Sequence, residues 1–240
     1  LESGEPRPGF LQRYAYTSVF SQKGWLPIGL HTGLLPIGRR QQNMLQLFFD
    51  RSQSVIFEDT TPMLVLSAED NVLYLSGHLA LHHQYHPGLF RDYDLALIIR
   101  ANPNLQWEQI LSDAQAWNLV LPLQKTLQRL ERHWPGTVDE KVLQKTRELP
   151  ISKQEKQLHY WAAEQPHNAF TAMLVSLLAQ NNFWQRLSYI FEMLYPSHDY
   201  MYWRYGKENP DAKLLSLYWL RWSKALKQGI LLTLQKRKEP

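Results

Sequence analysis

At 240 residues, 44% of them hydrophobic, the chain can bury a full core, as one domain or as a core with one appendage, and its composition is that of an ordinary globular protein. The absence of cysteine excludes a disulfide framework, thiolate metal sites and a cysteine nucleophile, and it suits a reducing compartment such as the cytoplasm. The net charge of +4 is uneven: from Met201 to Pro240 nine Lys or Arg stand against three acidic residues, a surplus of six, so the rest of the chain carries −2. A basic end of this kind suits phosphates, an anionic lipid surface or an acidic partner, or is simply a solvated helix face.

No apolar run approaches the roughly 18 residues of a membrane-spanning helix, because polar or charged residues interrupt each one. The opening LESGEPRPGF has neither an initiator Met nor the basic and apolar regions of a signal peptide. It reads as a linker, and the expectation is a downstream piece of something longer. Tyr14 to Phe20 and Trp25 to Leu34 are aromatic and β-branched runs separated by SQKG, a hairpin signal in which Pro27 marks an edge or bulged strand. Arg39 to Ser52 spaces Met44, Leu45, Leu47 and Phe48 as a short amphipathic helix, and SVIF, EDTT and PMLVLS predict a second hairpin.

Strand signals stop there. Ser67, with Asp70 three residues on, opens a helix to about His86, where Pro87 and Gly88 break it; Leu89 to Arg100 is the next. Asn104 is expected to cap Leu105 to Asn118, Leu121 to His133 follows, and the charged stretch from Gly136 to Pro150 reads as partly helical. Ser152 and Glu155 form an SxxE capping box for a helix to Gln165, stopped by Pro166. Asn168 to Tyr195 reads as two stacked helices or one kinked at QNN, and Pro210 starts a long basic helix to about Lys236. The predicted fold class is α+β, mainly α: a small N-terminal β-hairpin portion over 1–66 with one short helix, then a helical bundle over 67–240 packed as one unit with it.

The densest chemistry lies between Ser67 and Arg100. His78, His82 and His86 recur every fourth residue, so on a helix they share one side, with His83 off the line. They suit either a Zn²⁺ completed by Asp92 or Asp94, or hydrogen bonds between packed helices with Asp94 as a partner; the absence of an HExxH pattern favours the second. Asp92 and Asp94 have the DxD spacing with which a strand aims two carboxylates at one Mg²⁺ pair. The residues around them look helical, and on a helix two positions separated by two point about 200° apart, so the pair cannot chelate one ion. The upstream Ser76-Gly77 pair is reversed from the Gly-Ser order that accompanies such a strand. There is no Gly-rich phosphate loop and no GxSxG elbow.

Several separated blocks, in order from Trp25 to Trp222, together resemble a poorly characterised bacterial family of predicted nucleotidyltransferases. They are LPIGLHTGLL, LSAEDNVLYLSGHLALHH, RDYDLALIIR, LQWEQILSDAQAWNL, and LYPSHDYMYWRYG followed by LLSLYWLRW. The resemblance implies a nucleotidyltransferase fold followed by a helical region, with the hairpin portion a remnant of that fold's sheet and RDYDLAL in the helical part. It places the family's DxD strand upstream of residue 1. It also expects a third carboxylate two residues before the His of the Leu-His motif, where this chain has Gly29; His31 fits the motif and Thr32 replaces the usual aromatic residue.

The resulting expectation is the C-terminal part of a nucleotidyltransferase-like protein, inactive as this piece, whose helices shape the acceptor side of a cleft. No catalytic or metal-binding residue is assigned within the chain. Arg91 and Arg204 are the expected phosphate or acceptor contacts, and His31, His82 and Asp94 the residues that organise the cleft wall. Mg²⁺ and a nucleoside triphosphate are implied if the parent is active, as is a catalytic N-terminal half as partner. The alternative is a non-catalytic binding or assembly subunit on the same scaffold, a pseudoenzyme with a protein partner held by aromatics such as Tyr200, Tyr202, Trp203 and Tyr205. Nucleic-acid binding through the basic C-terminal helix is a third reading.

Overall fold

The computed structural model describes residues 6–14, 17–20, 26, 28–31, 33–35, 40–57, 61–86, 89–180, 182–206 and 212–224. In order these form α1 (Phe10–Tyr14), β1 (Thr17–Phe20), β2 (Ile28–His31), α2 (Arg40–Asp50), β3 (Gln53–Phe57) and β4 (Thr61–Val65). Then come α3 (Ala68–Leu81), α4 (Leu89–Ala101), α5 (Trp107–Trp117), α6 (Val120–His133), α7 (Glu140–Glu148) and α8 (Lys153–His159), the last continued by a wider π-wound turn, Tyr160–Glu164. α9 (Ala169–Leu178), α10 (Phe183–Leu194), α11 (His198–Met201) with a second π-wound turn, Tyr202–Gly206, and α12 (214–224) complete the described chain. The fold is α+β and mainly α, as the periodicity predicts. Among the described residues the strands pair as two antiparallel hairpins, Thr17 opposite His31 in the first and Gln53 opposite Val65 in the second.

The chain divides into two compact units, one of Leu1–Thr32 with Asn182–Pro240, the other Gly33–Asn181. The central helix of the second unit is α3, which meets α4, α5, α6 and the π-wound turn after α8. Its sequence explains that position. Val72, Leu73, Leu79, Ala80 and Leu81 are buried around most of its circumference, and the small pair Ser76 and Gly77 lets neighbours in close. A Cβ on Gly77 would stand 2.6 Å from Leu35 Cδ1, so any larger residue there makes the Leu35 side chain shift, while buried Ser76 spends its hydroxyl on Val72 O at 2.7 Å. Around α3 the stripe Leu123, Leu127 and Leu130 of α6, Ile110, Leu111, Ala114 and Trp117 of α5, and Leu95, Ala96 and Ile99 of α4 close one core.

Helix boundaries follow local chemistry. Ser67 Oγ accepts from Asp70 N at 3.1 Å to start α3, and Ser152 Oγ accepts from Glu155 N at 3.0 Å to start α8. Asn168 and Thr171 form a reciprocal capping box on α9, and Asn182 caps α10, so Asn168 to Tyr195 is two helices. Two expectations are corrected. α5 begins at Trp107 and not at Leu105; Asn104 lies in the preceding turn, and the N–H of Gln106 is met by Glu69 Oε1 at 3.1 Å. The box at Ser152 is only half formed, because the Glu155 side chain turns to another helix.

In the first unit part of the expected linker is packed. Pro6 and Phe10 are buried, and the Phe10, Tyr14 and Tyr189 rings lie 4.8 to 5.8 Å apart. Arg7 donates to Tyr195 O, and Arg13 meets Glu192 Oε2 at 2.6 Å. The SQKG turn, Pro27, Thr32, the Pro87-Gly88 break, the Pro210 helix start and the helix beyond Lys224 lie outside the described residues.

Candidate functional site

The chain from His78 to Asp94 leaves α3, turns, and enters α4, and the polar side chains of the second unit gather around it. α3 ends at Leu81, earlier than the histidine spacing suggests, so His86 does not continue the line of His78 and His82. Those two rings stack with centroids 4.9 Å apart, and the turn brings back His83, whose Nε2 lies 3.0 Å from His78 Nε2. Gln84 and Tyr85 hold φ of 52° and 53°, a left-handed conformation that costs energy for residues with a Cβ. Three interactions hold it in place. The Gln84 amide donates to Ala162 O and Gln165 O, Arg129 donates to Tyr85 O at 2.8 Å, and the Tyr85 hydroxyl lies 3.0 Å from His159 Nε2.

α4 separates the two aspartates. Asp92 is buried, where its Oδ2 accepts from Arg129 Nε at 2.7 Å and lies 3.4 Å from His133 Nδ1; Asp94 is exposed. The helical reading of RDYDLAL therefore holds, and the carboxylate committed to a partner is Asp92. Among the described residues no group of three or more His, Asp or Glu is placed to hold a metal ion.

From Asp92 the polar contacts run through Arg129 to Tyr85, from the Tyr85 hydroxyl to His159, and on to Glu164 and Lys125. Arg129 and Lys125 sit four apart on α6, so one helix face supplies both cations. His159 is almost fully buried, and burial pushes its pKa down to about 4, with Lys125 adding to the effect. The imidazole is thus neutral near pH 7, and the Tyr85 hydroxyl, itself held above the ordinary phenol range by burial, shares a hydrogen bond with its Nε2. Glu164 is pulled below the usual carboxylate range by its bond to Lys125.

One turn before His159 lies Glu155, also buried. Its Oε1 accepts from Leu121 N at 2.5 Å, closing the N-terminus of α6, and burial raises its carboxyl to about 7 against the pull of that peptide group. A second acidic centre joins α3 and α5 to the turn after α2: Arg51 bridges Asp70 Oδ1 at 3.1 Å and Asp113 Oδ2 at 2.6 Å. Burial raises Asp70, whose Oδ2 is enclosed without a hydrogen-bond partner.

The five residues singled out from sequence are dispersed. His82 and Asp94 are exposed in the second unit, one just after α3 and the other on α4; Arg91 is on α4. His31 ends β2 in the first unit, and Arg204 is exposed in the π-wound turn after α11 of that unit. The side chains of His31 and Arg91 lie outside the described residues. Sequence reasoning missed Arg129, His133, Glu155 and His159. Arg129 and His133 stand at i and i+4 on one face of α6, the visible signal for a shared partner; no comparable signal marks Glu155 as reaching 34 residues back.

A family described as uncharacterised nucleotidyltransferase matches residues 7–135, just over half of the chain. The chain belongs to this family. No curated protein and no solved structure matches it. The family region runs from α1 through α6 and so contains the strained turn, both aspartates of α4 and Arg129; Glu155, His159 and Glu164 lie beyond it. No helix among the described residues is long and apolar enough to cross a membrane.

Proposed function

We propose that this chain supplies the helical, acceptor-facing part of a bacterial, cytoplasmic nucleotidyltransferase-like protein, and that the carboxylates holding Mg²⁺ and the nucleoside triphosphate are not Asp92 and Asp94. Family membership supports the first half, and the observation that carries the second is the split of that pair between a buried ion pair with Arg129 and the exposed side of α4. The described residues do not fit an Mg²⁺ chelate, so no catalytic step is routed through them. His31, His82, Arg91, Asp94 and Arg204 are the proposed contacts to acceptor or phosphate. Exposed His82, Asp94 and Arg204 have the accessibility such contacts need.

The test is Mg²⁺-dependent binding of a nucleoside triphosphate, measured by calorimetry, on this 240-residue chain and on the protein isolated from its source. The expected result is no Mg²⁺-dependent binding by the chain alone and clear binding by the source protein. There Arg204→Ala weakens binding several-fold, roughly 1 kcal/mol for an exposed polar contact, with Tm unchanged. Nucleotide transfer by the chain alone would overturn the proposal. A source protein that binds no nucleotide but co-purifies with a stoichiometric protein partner would establish instead the non-catalytic assembly subunit, a reading favoured by exposed Tyr202 and Trp203.

A further inference from the structure

α10 is amphipathic in the opposite sense from a core helix. Toward its unit it turns Tyr189 and Glu192, 4% and 9% exposed, with Glu192 neutralised by Arg13. To the outside it turns Phe183, Leu187, Ile190, Phe191 and Leu194, whose spacing of four, three, one and three residues makes a single stripe, and beside it Trp184, 74% exposed. α12 repeats the pattern: Leu217 is buried, while Leu215 and Trp219, one turn apart, are 75% and 68% exposed. The two helices meet where Trp222 Nε1 donates to Leu194 O at 3.0 Å and Arg221 donates to Met193 O at 2.8 Å. The Tyr195 ring lies 5.3 Å from Phe191 and 5.6 Å from Trp222, so the apolar surface is continuous from α10 to α12.

The charged residues described in this unit are mainly cationic. The described residues of the unit carry Arg7, Arg13, Arg186, Arg204, Lys213, Arg221 and Lys224 against Glu192 and Asp199 alone, and Arg13 takes Glu192. A second copy of the chain would bring two such positive surfaces together. A nucleic acid would meet the cations but leave Leu187, Ile190, Leu194 and Leu215 uncovered. An anionic bilayer answers both, with hydrocarbon for the stripe, headgroups for the cations and an interface where Trp and Phe are favoured.

We propose that α10 and α12 form a docking surface for an anionic lipid membrane, holding the protein on the bilayer without spanning it. The test is co-sedimentation of the full chain with phosphatidylcholine vesicles with and without phosphatidylserine. Phosphatidylserine vesicles are expected to bind at least roughly tenfold more tightly than neutral ones and to release the protein as salt rises. Trp184→Ser with Phe191→Ser is expected to reduce binding by roughly tenfold or more while the fold is kept, with Tm lowered by no more than a few degrees, since Trp184 is 74% and Phe191 53% exposed. Lys213→Glu with Lys224→Glu abolishes the preference for phosphatidylserine. The proposal is overturned if neither vesicle binds, if the Trp184 and Phe191 variant binds as well as the parent, or if the parent is a dimer that this variant disperses. Displacement from vesicles only by nucleic acid, with no response to the aromatic substitutions, would likewise overturn it.

Discussion

Two buried groups one turn apart on α8, Glu155 and His159, pull the stability of the second unit in opposite directions with pH. Glu155 has its folded pKa raised to about 7 from 4.5, so the folded state holds the proton more tightly. Its contribution is full below about 4.5 and is lost as pH rises through about 7. His159 has its folded pKa lowered to about 4 from 6.5, so its contribution is full above about 6.5 and is lost as pH falls toward 4. Between 4.5 and 6.5 the two slopes offset, and a thermal-melting profile of the parent should be nearly flat there. Glu155→Gln removes one slope: Tm of the variant should fall steadily from pH 6.5 toward 4 and exceed the parent's relative value at pH 8. A variant that keeps the parent's plateau would show that Glu155 does not titrate in this window. α4 offers a second test, because its aspartates share a chemistry and differ only in surroundings. Asp92→Asn leaves the half-buried Arg129 without its carboxylate and should cost roughly 2 to 3 kcal/mol, while Asp94→Asn should leave Tm within about a degree. Equal effects would mean that the helix does not separate them. At this scale sequence periodicity was sufficient to part Asp92 from Asp94, since a helix fixes the angle. It could not show Glu155 leaving its own capping box for Leu121, a choice made by packing between α6 and α8.

Among elements, the legible parts are those whose signals are local. Both hairpins, the helix at α2 and the starts of α3, α8 and α9 follow from turn residues, apolar spacing and caps within a few positions. The misread parts depend on distant groups: the turn that ends α3 early is held by Arg129, Ala162, Gln165 and His159, and α5 starts late with Glu69 meeting the N–H of Gln106 just before it. The central position of α3 is also only half visible, since a helix buried on most sides has no polar face to orient it. Gly77→Ala should gain roughly 1 kcal/mol in helix propensity, yet the added carbon meets the fully buried Leu35. The net expectation is a loss of roughly 1 to 2 kcal/mol, a few degrees in Tm by calorimetry; a more stable variant would mean that Leu35 has room to withdraw.

On the scale of the whole molecule, fold class and family were both readable from the sequence, because ordered blocks carry more information together than any block alone. The candidate contacts were less so. His31 and Arg204 fall in one unit and His82, Arg91 and Asp94 in the other, a partition that no local pattern announces, because the first unit is assembled from the two ends of the chain. That assembly has a consequence for synthesis. Every residue of the second unit has been translated by Asn181, whereas Arg7, Arg13 and Tyr14 wait for partners at Tyr195, Glu192 and Ser188, 174 to 188 residues later. On the ribosome the interior segment can fold while the leading segment is still without its mate, and Phe10 and Tyr14 remain uncovered until α10 emerges. That segment is made before the second unit and finds its place after it.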